Sequence, residues 1–124
     1  MNICASAKLA NVPRPLYEVK AEFFRTLGHP VRIRVLELLS ERPHAVYELL
    51  AEIGSEPSSL SHQLAVLRRT GLVDQQRRGG DVVYSMAAPE ISELLRAARA
   101  VLLDVIDDKA QLRKALRDEA RLET

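Results

Sequence analysis

The sequence predicts a mainly α-helical single domain carrying one small β-hairpin, and three observations lead there. Leu, Ala, Glu and Arg dominate a chain of 124 residues with only 4% aromatic residues and no Trp, a composition that favours helices over a sandwich or barrel. Apolar residues recur at helical spacing in several runs, each bounded by Gly or Pro. One stretch, Leu72 to Met86, instead reads as two short extended runs joined through Gly79-Gly80, whose freedom at positive φ suits a tight turn. With 47% hydrophobic residues, there is apolar material for one modest core and no second domain is expected.

Residues 1–15 are expected to form a loosely ordered arm, mixed in character and ending in the Pro13-Arg14-Pro15 breaker. Leu16, Val19, Phe23, Phe24 and Leu27 then mark a first helix, which Gly28-His29-Pro30 closes. Pro30 suits the first turn of a second helix, whose Ile33, Val35, Leu36, Leu38 and Leu39 make a broad apolar face up to Ser40 before Arg42-Pro43 ends it. A short third helix is expected from about His44 to Ile53, with Gly54 as its left-handed C-cap residue. Ser55 or Glu56 can cap a fourth helix in which Pro57 takes the first turn and Leu60, Leu64 and Leu67 face inward. Gly71 ends it, and strands over Leu72 to Arg77 and Val82 to Met86 follow.

Pro89 opens a final long helix on Ile91, Leu94, Leu95, Ala98, Leu102 and Val105, extended less densely by Leu112 and Leu116. The expected domain therefore spans residues 16–106, in the order α-α-α-α-β-β-α, with 107–124 as a helical extension whose degree of order is left open. One small domain cannot cover so long an apolar stripe. A second copy would, so a homodimer through the first and last helices is expected, on Leu16, Val19, Phe23, Ile91, Leu94, Leu95, Ala98, Leu102 and Val105.

Two short helices, a Gly turn, a third helix and a basic hairpin make a winged helix-turn-helix, a DNA-reading arrangement. With the leucines inward, Ser58, Ser59, Ser61, His62 and Gln63 are expected on the outer face near the start of the reading helix, as donors and acceptors for base edges and phosphates. Arg68 and Arg69 follow at its end, and Arg77 and Arg78 at the hairpin tip. Singly, serines at a helix start are caps and paired arginines a solvated face. In this order they concentrate positive charge on one region of a chain whose net charge is only +1, which suits phosphates flanking a groove.

At these residues the sequence resembles the ArsR/SmtB family of bacterial winged-helix regulators. The resemblance runs through Phe23-Phe24-Arg25-Thr26-Leu27-Gly28-His29-Pro30-Val31-Arg32-Ile33-Arg34-Val35-Leu36, then the block from Ser58 to Val73, then Val83-Tyr84-Ser85-Met86, and covers roughly residues 16–106. It implies a homodimeric regulator on a near-palindromic double-stranded operator, usually a repressor released by an inducer. Many members sense metals, and here the sequence departs from the pattern. The thiolate site on the third helix would need Cys-Val-Cys where this chain has Ala45, Val46 and Tyr47. The site on the last helix falls on Ala88, Glu90, Val101 and Asp104, two carboxylates with no imidazole.

No metal ligand and no cofactor are therefore assigned, and the effector is left open. Alternatives are a metal-responsive regulator using a rearranged site, with His29, His44, His62 and Cys4 as the remaining ligands, redox sensing through Cys4, and a winged helix that docks on proteins through its charged tail from Asp107 to Thr124. No nucleophile, base and oxyanion donor assemble, so an enzyme is not expected. Ser61 and His62, adjacent on a helix, point about 100° apart and form no dyad. A lone Cys excludes an internal disulfide. The sequence shows neither a secretory h-region nor a membrane span, and the cytoplasm is the expected compartment.

Overall fold

The computed structural model describes residues 13–123, and the expectations placed on residues 1–12, Cys4 among them, lie outside that range. The elements run α1 (Leu16–Leu27), α2 (Pro30–Glu41), β1 (His44–Ala45), α3 (Val46–Ile53), α4 (Pro57–Arg69), β2 (Val73–Arg78), β3 (Asp81–Met86) and α5 (Glu90–Glu123). Proline opens both α2 and α4, where its missing N–H costs no hydrogen bond and its fixed φ is already helical. The His29 ring caps α2, Nδ1 accepting from the Val31 N–H at 3.1 Å. Gly54 leaves α3 at φ +73°, a left-handed exit that lets α4 begin within three residues.

The core forms where the inner faces of α2, α3 and α4 meet the sheet. Val35, Leu36, Leu49, Leu60, Leu64, Leu67 and Val73 are its fully buried side chains, and Tyr84 and Ile91 close it from β3 and α5. The hairpin β2–β3 turns through Gly79 and Gly80 at φ +56° and +91°, the two positive values that a two-residue loop needs to match strand twist. Its register pairs Val73 with Met86 and Arg78 with Asp81.

One element differs from the expectation. His44 and Ala45 do not begin the third helix: they form β1, pairing with Tyr84 and Val83 of β3 and adding a third strand in the order β1-β3-β2. Both are buried there, and His44 Nδ1 lies 2.8 Å from the Arg42 carbonyl. The helix starts at Val46, where Glu48 reaches back to accept from the Ala45 N–H at 2.9 Å. At the other end of the chain, α5 is one helix of 34 residues from Glu90 to Glu123, about 51 Å at 1.5 Å per residue. Only its first turns, through Ile91, Leu94 and Leu95, pack on the core.

Candidate nucleic-acid interface

The outer face of α4 follows from its leucine phase. With Leu60, Leu64 and Leu67 buried, Ser58, Ser59, Ser61 and His62 stand exposed on the first two turns. Neither expected cap acts: Glu56 holds the N-cap position without a side-chain hydrogen bond, and Ser55 Oγ is buried without a partner. The early N–H groups of α4 thus have no side-chain cap, which leaves them to solvent or to an anion.

Gln63 is a correction. It was expected on the reading face, but it is 7% exposed and belongs to the buried stripe. Spaced three residues after Leu60 and four before Leu67, it shares their side of the helix. A buried amide needs partners, and Arg32 supplies one: its Nε donates to Gln63 Oε1 at 2.6 Å, while its Nη1 donates to the Thr26 carbonyl at 2.9 Å. Sequence spacing could have shown that Gln63 faces inward, but not which residue, 31 positions earlier, meets it.

All four arginines are exposed. Arg68, at the end of α4, donates through Nη1 to Gln75 Oε1 on β2, so the reading helix and the wing are tied to each other. Arg78 donates to Gln76 Oε1 from Nε at 3.2 Å and from Nη2 at 3.0 Å. None of the four makes an ion pair among the described residues. The partners of Arg68 and Arg78 are neutral amides, so both keep their full charge for a polyanion.

Shifted ionisations lie away from this face. Glu48 is held below the usual carboxylate range, first by the hydrogen bond from Arg42 Nη2 at 3.0 Å and then by the Ala45 N–H. The Arg14 guanidinium, whose Nη2 lies 2.7 Å from Glu22 Oε1, does the same to Glu22.

The nine residues expected at a dimer contact divide. Leu16 is 65% exposed and Leu102 60%; Val19, Ala98 and Val105 are also exposed, while Phe23, Leu94 and Leu95 are half-buried against the core. Ile91 is corrected: at 4% exposed it is spent inside its own protomer. No three His, Cys, Asp or Glu side chains stand together as a metal site among the described residues. Tyr47 is exposed, as are Glu90, Val101 and Asp104 on α5.

Residues 29–75 match the model of the family described as bacterial regulatory protein, arsR family. They hold α2, β1, α3, α4 and the start of β2. An uncharacterized HTH-type transcriptional regulator of Mycobacterium tuberculosis, Rv0081, is 55% identical over 104 residues, 83% of this chain and 91% of that protein. The chain belongs to the ArsR family.

The crystal structure of Rv0081 superposes on this ArsR-family chain with a TM-score of 0.73 at 56% identity, over 79% of this chain and 99% of that one. A biofilm growth-associated repressor of Agrobacterium fabrum is 31% identical over 97 residues, 75% of this chain and 83% of the repressor. The ArsR-family chain is thus a winged helix-turn-helix transcriptional regulator. No helix among the described residues is long and apolar enough to cross a membrane.

Proposed function

We propose that this ArsR-family chain represses transcription as a cytoplasmic homodimer on a near-palindromic operator, with Ser58, Ser59, Ser61 and His62 reading the major groove and Arg68, Arg69, Arg77 and Arg78 holding flanking phosphates. The observation that carries this reading is the outer face of α4, where short polar side chains lead and two arginines follow, tied through Arg68 to a wing tipped by two more. Polar side chains at the helix start suit base edges and phosphates, and guanidinium groups whose charge no carboxylate offsets suit a polyanion. The similar repressor of Agrobacterium fabrum supports the sign of regulation.

Dimerisation rests on the exposed apolar residues of α1 and α5. A twofold assembly would place two copies of α4 in successive major grooves about 34 Å apart. An effector would act by changing that separation. Neither common metal-ligand set is present at Ala45, Val46, Tyr47 or at Ala88, Glu90, Val101, Asp104, so the signal is not assigned to a metal.

The deciding experiment is recovery of genomic fragments bound by the purified protein, repeated with chelator and with added divalent metals. The expected result is a small set of promoter fragments sharing an inverted repeat, with binding that weakens steeply as salt rises and does not change with chelator. A folded protein that selects no fragment at low salt would overturn the regulator reading. Binding switched by a metal would overturn the metal-independent part alone.

A further inference from the structure

We propose that Arg32 is a positioning residue that sets the pose of the reading helix, and through it the sequence discrimination of the outer face, by holding Gln63 and the Thr26 carbonyl at once. The inference rests on the reading of α4 as the DNA-contacting helix. Three elements meet at this guanidinium. Arg32 lies in the first turn of α2, Gln63 in the middle of α4, and Thr26 in the last turn of α1. Nε and Nη1 belong to one rigid plane, so the two hydrogen bonds, at 2.6 and 2.9 Å, fix the roll of α4 against the α1–α2 junction.

The amide of Gln63 has no freedom to answer otherwise. Arg is donor-only, so the carboxamide must turn its oxygen toward Arg32. It does so on the buried side of α4, which it shares with Leu60, Leu64 and Leu67, while His62 stands exposed. A roll of the helix that broke this bond would strand a buried amide and swing Ser58, Ser61 and His62 together, since one helix carries them all. The junction on the other side is equally constrained. Gly28 N–H reaches the Phe24 carbonyl at 2.9 Å, His29 caps α2, and Leu27 is the only buried residue of α1. That helix therefore joins the body through its C-terminal end, where Phe23 and Leu27 pack on the core and Arg32 holds Thr26. The same guanidinium joins the helix proposed to meet a second copy to the helix proposed to meet DNA.

The test compares Arg32→Lys, Gln63→Met and Gln63→Glu with the wild type, measuring affinity for one recovered operator and for an unrelated duplex at the same salt. Lysine keeps the charge but cannot span both acceptors. Methionine keeps the volume without an acceptor, and glutamate keeps an acceptor that charge would strengthen. The expected result is that Arg32→Lys and Gln63→Met each lose about tenfold or more in the ratio of operator to unrelated binding, as expected for one hydrogen bond to a charged group. Affinity for the unrelated duplex and its salt slope should stay as in the wild type, and Gln63→Glu should restore the ratio.

A purely structural role would lower both affinities together, or would leave the ratio intact in folded variants, and either result overturns the proposal. Should Arg32→Lys fail to fold, Gln63→Met carries the same test. The wild type separates the two ideas: if it selects no operator, the regulator reading falls and this proposal with it. If it selects one and both variants select it equally well, only the role of Arg32 falls.

Discussion

Glu48 shows how much a single side chain can hold at a loop. It accepts from Arg42 and from the Ala45 N–H, and both favour its charged form. In the unfolded chain its carboxyl titrates at about 4.3, the ordinary value; in the fold it titrates lower. Its contribution to stability is therefore complete above that ordinary value and lost as pH falls through the lowered one. Glu48→Gln should reduce stability at neutral pH and make the acid limb of the stability curve shallower, leaving the share due to Glu22. Thermal midpoints of the two proteins from pH 3 to 7 check this, and parallel acid limbs would contradict it. Residues of this kind were legible only in part. Ser58, Ser59, Ser61 and His62 could be placed outward because the leucine phase determines them. Gln63 lies on the buried phase with those leucines, but its amide suggests base contact more readily than burial. What it binds depends on how α2 crosses α4, a fact of packing that no spacing along the chain contains.

Among the elements, α4 and the wing were readable because each is announced locally, by Pro57 and three leucines or by Gly79-Gly80. The strand β1 was not, since two residues carry no period and His44-Ala45 become a strand only by meeting Val83-Tyr84. Three outcomes belong at this scale. Leu64→Ala should cost about 3 kcal/mol, within the range for a large-to-small change in a packed core, and urea unfolding measures it. Gly54→Ala meets no atom within 4 Å, so its cost is that of the left-handed backbone alone, about 1 kcal/mol. Arg78→Ala should weaken all duplexes alike and flatten the salt dependence by about one counterion. A specific loss at one operator with an unchanged salt slope would mean that the wing reads bases rather than phosphates.

Across the whole molecule, the proposed assembly depends on the long exposed part of α5, where Leu102, Leu103, Val105 and Ile106 are 40–60% exposed. An isolated helix gains little from its own hydrogen bonds in water, so a second copy should raise both its stability and its helix content. Leu102→Glu places a charge on that stripe and should shift the protein toward monomer, with weaker operator binding and unchanged core packing. Sedimentation equilibrium measures the first effect, and an unchanged mass would remove this face from the interface. The 34-residue length of α5 also has a hydrodynamic consequence. A compact chain of this size has a radius of gyration of about 14 Å, whereas this helix alone is about 51 Å long. A monomer should therefore tumble and elute like a heavier, rounder particle. Elution volume will exaggerate the mass of either species, and removing residues 107–124 should shrink the Stokes radius by far more than their share of the weight.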